Sequence, residues 1–190
     1  MKTNSLILVR HSEPEISFNL PANEWDLSEI GRNRCVPLAD KLKKYQPTAV
    51  FTSNEKKAFQ TGAILAQRLE INSITMSDLH EHERNNVRFG SQELFENKVK
   101  LFFNEPSKLV FGRESADHAL MRFAAAISKI MDFRPQGSMV IVAHGAVIAL
   151  WVTSISGGDP FTFWKRQGMP SFSVFLKPNL EFVEFVEYVS

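Results

Sequence analysis

Short apolar runs alternate with longer amphipathic stretches along this chain. The short runs predict strands, and the first of them is continuously apolar after Ser5, which is typical of a buried strand. They cover 5–9, 48–53, 72–77 and 138–144. The longer stretches repeat their apolar residues with a helical period, which predicts helices. They cover 26–45, 54–70, 91–103, 115–133 and 145–155. Two later β-rich runs, 171–176 and 181–189, flank "KPN" and predict a hairpin or two late strands.

Strands that alternate with helices predict an α/β fold with a mostly parallel sheet covered on both faces. We therefore expect a three-layer α/β/α sandwich. The length of 190 residues suits one domain, and we assign 1–190 to it. The stretch 78–114 is the least regular, so we expect it to form an insertion or a lid on the substrate side.

Net charge, cysteine content and the length of the apolar runs limit which partners and which cellular compartment we expect. The formal net charge is +1, which gives no electrostatic footprint for nucleic acid or for an anionic membrane. A single cysteine, Cys35, excludes an internal disulfide and fits a reducing compartment. The first apolar run is too short for a signal peptide, and no run is long enough to span a membrane. We expect a cytoplasmic protein.

Two of the predicted strands end in histidine. "LILVRH" ends at His11 and "VIVAH" ends at His144, and small residues follow them, Ser12 and Gly145. Ligands of such sheets bind at the carboxyl ends of the strands. Small residues let a ligand approach the backbone and the next helix N-terminus, which attracts anions. The pattern therefore predicts an anion site between the two histidines.

Six short motifs follow one another along most of the chain. They are "RHS" at 10–12, "LSEIG" at 27–31, "SNEKKAFQT" at 53–61, "LHE" at 79–81, "GRESADHALMR" at 112–122 and "AHGAVI" at 143–148. In this order they resemble the motifs of the histidine phosphatase superfamily, also called phosphoglycerate-mutase-like. The resemblance implies a short, phosphatase-type member with the phosphoglycerate mutase-like fold.

The resemblance also implies a role for four side chains. His11 would attack phosphorus and form a phosphohistidine, and Arg10 would bind phosphate oxygens with its planar guanidinium. His144 would add a donor, as an imidazolium beside the phosphate dianion. Glu81 would protonate the leaving oxygen and then take a proton from water, for which we expect partial burial and a raised pKa. No metal or other cofactor is implied, because fixed cations neutralise the phosphoryl charge.

Two positions depart from the family pattern. Lys57 stands where the family has a second arginine, so it keeps the charge but loses bidentate geometry. Ser17 stands where many members have asparagine, and its hydroxyl still offers one hydrogen bond. We include both residues among the predicted phosphate ligands.

The run "HEHER", 80–84, permits other interpretations. His80 and His82 have the spacing of one strand face, but no third ligand follows at a zinc spacing. We favour an arrangement in which Glu81 points into the site and the histidines flank it. Arg84 and Arg88 either touch an anionic substrate or are solvated loop charges.

The leading functional hypothesis is a phosphatase acting on a small phosphomonoester, with no nucleic-acid or membrane partner and a monomeric or homodimeric state. Three alternatives stay open: a phosphoglycerate mutase-type phosphoryl transfer, a phosphohistidine protein phosphatase, and a weakly active phospho-ligand binding module. The last is favoured only by Lys57.

Overall fold

The computed structural model describes residues 4–17, 19–84, 91–133 and 136–190. Its strands are β1 Ser5–Arg10, β2 Pro47–Ser53, β3 Asn72–Met76, β4 Ser138–Ala143, β5 Ser171–Leu176 and β6 Glu181–Val186. Its α-helices are α1 Glu29–Leu42, α2 Lys56–Leu69, α3 Gln92–Asn104, α4 Ala116–Phe133, α5 Gly145–Ser156 and α6 Pro160–Arg166. Short 3₁₀ helices cover Ala22–Glu24, Lys43–Tyr45 and Ser77–Leu79.

The six strands form one sheet in the order β3-β2-β4-β1-β5-β6. The pairs β3–β2, β2–β4 and β4–β1 are parallel, and the pairs β1–β5 and β5–β6 are antiparallel. The predicted late hairpin is therefore the antiparallel end of the sheet. Its second strand ends at Val186, three residues before the predicted end. Val189 is nevertheless fully buried, so the apolar residue that extended the prediction belongs to the core.

The side chains of β1 enter two different cores. Leu6 and Leu8 pack with the buried faces of α3, α4 and α5. Ile7 and Val9 pack with those of α1 and α2. Successive side chains of a strand point to opposite faces of the sheet, so a run without polar residues needs cover on both sides. The predicted three-layer α/β fold is confirmed.

Helix α1 begins three residues after the predicted start, because Ser28 is its N-cap. The Ser28 hydroxyl accepts a hydrogen bond from the Gly31 amide at 2.9 Å. The Ser28 amide in turn donates to the carbonyl oxygen of Glu13 at 3.0 Å. A Cβ atom on Gly31 would lie only 2.1 Å from that same oxygen. The "LSEIG" motif thus joins the start of α1 to the loop that follows His11.

We expect Gly31→Ala to lower the free energy of unfolding by about 1–3 kcal/mol, because the new methyl group displaces the Glu13 carbonyl. Urea unfolding would measure this loss. Asn33→Ala, at an exposed position of the same helix, is the matched control and should change stability by less than about 0.5 kcal/mol. Equal stability of the two variants would contradict the close approach.

Helix α6 was not predicted from the sequence. The signal for it was present, since Asp159 and Pro160 are a typical N-cap and first-turn pair. The Asp159 carboxylate accepts a hydrogen bond from the Thr162 amide at 2.7 Å. The helix is only seven residues long, and an amphipathic pattern is hard to recognise over two turns.

The region 78–114 contains the end of a 3₁₀ helix, all of α3 and irregular chain. Its role as an insertion or a lid stays a prediction. Arg88 lies outside the described residues. No helix in the described parts of the chain is long and apolar enough to cross a membrane.

Candidate active site

The register between β1 and β4 places the two predicted histidines side by side. Arg10 is opposite Ala143, so His11 and His144 follow at the same edge of the sheet. The His11 amide donates to the carbonyl oxygen of Ala143 at 3.0 Å. The two imidazole rings are 5.1 Å apart between centroids and meet edge to face.

The backbone selects one tautomer of His11. Its Nδ1 lies 2.7 Å from the carbonyl oxygen of Ser12, and a carbonyl oxygen can only accept, so Nδ1 carries the proton. The lone pair is then on Nε2. Burial, followed by the neighbouring His144, Lys57 and Arg10, keeps the pKa of His11 well below its usual value. The ring is therefore neutral at neutral pH, as a nucleophile requires.

His144 is fully buried at the N-terminus of α5. Its Nε2 lies 2.9 Å from the Ser53 hydroxyl and 3.7 Å from a carboxylate oxygen of Glu55. Its Nδ1 is buried and has no hydrogen-bond partner among the described residues. Burial, and next the charge of Lys57, hold its pKa well below the usual value. The free protein thus disfavours the expected imidazolium, although a bound dianion would raise this pKa.

Arg10 projects its guanidinium across the start of α5. One Nη1 hydrogen bond goes to the carbonyl oxygen of Gln167, while Nε is buried without a partner among the described residues. Burial lowers the pKa of Arg10 to about 10, which leaves it charged at neutral pH. A Cβ atom on Gly145 would lie 3.2 Å from Arg10 Nε and 3.0 Å from Trp164 Nε1. Glycine at 145 therefore leaves room for both groups.

Glu81 occupies the N-terminus of α5. One carboxylate oxygen accepts from the amides of His82 at 2.9 Å and Val147 at 3.3 Å. The other accepts from the Ala146 amide at 3.1 Å. We expected these helix amides to face a ligand, but a carboxylate of the protein itself caps them.

This environment contradicts the raised pKa expected for Glu81. Burial would raise the pKa, but the charge of Arg84 and the hydrogen bonds from backbone amides outweigh burial and lower the pKa to about 2. The expectation of burial was correct, since Glu81 is 7% exposed. The direction of the shift was wrong, because the sequence did not reveal the three amide donors.

Lys57 lies where the resemblance placed it, in the first turn of α2 and nearly buried. Its Nζ donates to a carboxylate oxygen of Glu55 at 2.5 Å and to the carbonyl oxygen of Ala22 at 2.7 Å. Glu55 also accepts from the Glu81 amide at 2.8 Å. Glu55 was not among the predicted site residues. The one sequence feature that pointed to it was its position just after the end of β2.

These groups border a cavity of about 160 Å³. Its charged and polar lining consists of Arg10, His11, Glu55, Lys57, Glu81, His82 and Arg84. Apolar lining includes Ile16, Trp25, Phe95 and Trp164. Ser17 is not among the lining residues, and its carbonyl oxygen accepts from the Trp25 indole at 2.9 Å. Its predicted role in phosphate binding stays a prediction.

The histidines of "HEHER" flank Glu81 in sequence and are held by backbone carbonyl oxygens. His80 Nδ1 donates to the Glu81 carbonyl oxygen at 2.7 Å. His82 is buried against Phe102, with ring centroids 4.2 Å apart, and its Nε2 donates to the Glu114 carbonyl oxygen at 2.9 Å. No cluster of three metal-binding side chains occurs among residues 4–17, 19–84, 91–133 and 136–190.

Arg122 fixes the backbone that carries Glu81. Its Nη1 donates to the carbonyl oxygens of Asp78 and His80, each at 2.9 Å, and its Nη2 donates to that of Glu81 at 3.3 Å. Glu114 holds the same guanidinium through Nε at 2.9 Å and Nη2 at 2.8 Å. Both residues belong to the "GRESADHALMR" motif, so their spacing was visible in the sequence although their purpose was not.

The buried histidines predict acid-sensitive stability. Unfolded histidine binds a proton below about pH 6.5, whereas His11 and His144 resist protonation in the fold. The unfolded state then binds more protons, so the free energy of unfolding falls as the pH falls. Each histidine contributes up to about 1.4 kcal/mol per pH unit below that pH.

Urea titrations at about pH 7.5 and about pH 5.5 would measure this slope. His11→Asn should flatten the slope, and replacement of the exposed His118 by Gln should not. A wild-type protein of equal stability at both pH values would contradict the prediction.

Known proteins share both the sequence pattern and the fold. The model of the "Histidine phosphatase superfamily (branch 1)" matches residues 6–176. The chain is 26% identical over 161 residues to "Uncharacterized phosphatase PhoE" of Bacillus subtilis, covering 82% of this chain and 79% of the relative. It is 27% identical over 163 residues to "Metal-independent phosphoserine phosphatase" of Arabidopsis thaliana, covering 77% and 66%.

Among solved structures, "Mycobacterial hydrolase 1" superposes with a TM-score of 0.78 at 18% identity, covering 99% of this chain and 100% of that one. This likeness establishes the fold. The family match runs from β1 to β5 and so includes His11, Glu81 and His144. The chain belongs to the histidine phosphatase superfamily, branch 1.

Proposed function

We propose that this protein hydrolyses a small phosphomonoester through a covalent phosphohistidine on His11. One observation carries the proposal: a neutral imidazole, with Nδ1 held by a carbonyl oxygen, lies in a cavity lined by cationic side chains. The named relatives are phosphatases, which agrees with this chemistry.

In the first step the His11 Nε2 lone pair attacks phosphorus. A P–N bond forms, the bond from phosphorus to the leaving oxygen breaks, and Glu81 delivers a proton to that oxygen. Arg10 and Lys57 offset the negative charge of the phosphoryl oxygens, and His144 adds a hydrogen bond. In the second step water attacks phosphorus, Glu81 accepts a proton from the water, and the P–N bond breaks.

The low pKa of Glu81 constrains how the first proton arrives. The free protein holds Glu81 as a carboxylate, so the proton must enter together with the substrate. A phosphomonoester monoanion carries such a proton, since its second pKa is about 6. The negative charge of the bound phosphoryl group also raises the pKa of Glu81. In the second step Glu81 is already deprotonated, as a general base must be.

The cavity also has an aromatic lining that suits an organic leaving group. Trp25, Phe95 and Trp164 belong to it, and aromatic faces bind flat apolar groups well. An aryl phosphate is therefore a suitable first substrate for assay.

The decisive experiment is turnover of 4-nitrophenyl phosphate by wild-type protein in excess chelator, with acid-quench and base-quench trapping of the phosphoenzyme. We expect turnover and a phosphoryl adduct that is stable in base and labile in acid, as a phosphoramidate is. A protein that turns over only with added metal, or whose adduct is stable in acid, would exclude the proposed intermediate.

A phospho-ligand binding module is the one alternative that the structure specifically favours. Lys57 is neutralised by Glu55, and the pKa of Glu81 is about 2, both of which work against turnover. Phosphate binding without hydrolysis of any phosphomonoester in a substrate panel would select this alternative.

The proposal also covers the setting of the reaction. We propose a small phosphorylated substrate, no nucleic-acid or membrane partner, and a monomer or homodimer. The single cysteine, Cys35, is buried and unpaired, which supports a cytoplasmic location.

A further inference from the structure

We infer that Arg84 is the second guanidinium of the phosphate site and takes the part that the family pattern assigns to an arginine at position 57. This inference rests on the proposed function. It concerns a residue that the sequence left undecided between substrate binding and a solvated loop charge.

Lys57 is largely committed to the protein. Two of its three N–H donors go to Glu55 and to the Ala22 carbonyl oxygen. The short ion pair with Glu55 is almost completely buried, with side-chain exposures of 7% and 11%. The negative charge of Glu55 therefore cancels part of the attraction between Lys57 and an incoming phosphate.

Arg84, in contrast, lines the cavity and has a donor that is not committed to the protein. Its side chain is 18% exposed and its guanidinium carbon lies 5.1 Å above the centre of the Phe95 ring. Its Nη2 is 3.6 Å from a Glu81 oxygen, which is attraction without a hydrogen bond. Its Nη1 is buried and finds no hydrogen-bond partner among the described residues.

Arg84 Nη1 is one of several buried nitrogens in this region that lack a hydrogen-bond partner among the described residues. Arg10 Nε and His82 Nδ1 belong to other residues that line the cavity, and His144 Nδ1 belongs to the ring beside His11. Buried polar atoms without partners are uncommon, and each costs free energy until a ligand or water satisfies it. A phosphoryl group presents three oxygens, and it enters the cavity that Arg10, His11 and Arg84 line together.

The balance of charge in the cavity also requires Arg84. Arg10 and Lys57 supply two positive charges. Glu55 and Glu81 supply two negative charges, and both carboxylates have lowered pKa values. With the histidines neutral, these four groups alone would offer a phosphate dianion no net attraction. Arg84 makes the cavity cationic, and its fork suits two phosphoryl oxygens at once.

The test measures inorganic phosphate binding by calorimetry and phosphate inhibition of 4-nitrophenyl phosphate turnover. Arg84→Ala should weaken phosphate binding by roughly 10- to 100-fold, the loss of a hydrogen bond between charged groups. Arg84→Lys should recover part of this loss, because it restores the charge without the fork. Arg68→Ala, an exposed arginine on α2, is the matched control and should bind phosphate as wild type does.

Unchanged phosphate binding in Arg84→Ala would overturn the inference, as would a wild-type protein that does not bind phosphate. A loss confined to substrates with an anionic leaving group, at unchanged phosphate affinity, would also overturn it and place Arg84 beside the leaving group. Unfolding midpoints would show that each variant is folded. If wild type turns over and Arg84→Ala keeps the same turnover and phosphate affinity, only this inference is rejected. If phosphate binding depends on Arg84 but wild type hydrolyses no substrate, only the proposed function is rejected.

Discussion

Replacement of His11 by alanine is expected to lower kcat for 4-nitrophenyl phosphate by at least about 10⁴-fold, the scale on which loss of a nucleophile acts in covalent catalysis. The remaining groups are expected to bind phosphate, but none of them supplies the lone pair that forms the P–N bond. The trapped phosphoenzyme should disappear completely, because His144 Nε2 faces Ser53 and Glu55.

His11→Ala should still bind inorganic phosphate, since Arg10, Lys57 and His144 remain. His118→Ala, at an exposed position of α4, is the matched control and should keep full activity. Retention of a tenth or more of the wild-type kcat by a folded His11→Ala protein would remove His11 from the nucleophile's role.

Replacement of Glu81 by glutamine should separate the two chemical steps. For an alkyl phosphate, whose leaving oxygen needs a proton, we expect kcat to fall by about 10²- to 10⁴-fold. Nitrophenolate leaves without a proton, so 4-nitrophenyl phosphate should still phosphorylate His11. Hydrolysis of the adduct then lacks its base, and a stopped-flow experiment should show a burst of nitrophenolate followed by a slow phase.

The amide in Glu81→Gln has one acceptor oxygen for three backbone N–H donors. We therefore expect a loss of about 1–3 kcal/mol in stability, and the kinetics must be measured well below the unfolding temperature. Glu83→Gln, at the exposed neighbouring carboxylate, is the matched control and should show no burst. A burst-phase rate for 4-nitrophenyl phosphate that falls as far as the kcat for the alkyl phosphate would contradict general acid catalysis by Glu81.

The sequence predicted the part of the site that depends on the ends of strands. His11 and His144 follow runs of apolar residues, and burial of both faces of β1 and β4 requires exactly such runs. Once the strands were taken to be parallel neighbours, the two histidines had to meet. Arg10, at the end of β1, and Lys57, in the first turn of α2, were located by the resemblance of short motifs to the family pattern.

The remaining features depend on contacts between distant segments. The low pKa of Glu81 arises from the charge of Arg84 and from backbone amides, two of which belong to α5 and lie 65 and 66 positions away. The burial of Arg84 Nη1 and the place of Trp164 depend on how loops fold over the sheet, which periodicity does not encode. Glu55 is close to Lys57 in sequence, but its contact with the Glu81 backbone is not local.

The strand order places the two histidines and Glu81 at positions of the sheet that differ in their resistance to local opening. The strands before His11 and His144 lie inside the sheet, paired on both sides and buried throughout most of their length. Glu81 follows β3, an edge strand with half-exposed residues. Fluctuations that open a protein below its global unfolding energy begin at such edges. We therefore expect Glu81, the proposed acid–base group, to lose its position before the two histidines do as temperature or denaturant rises, so that hydrolysis of the adduct fails while phosphate capture persists.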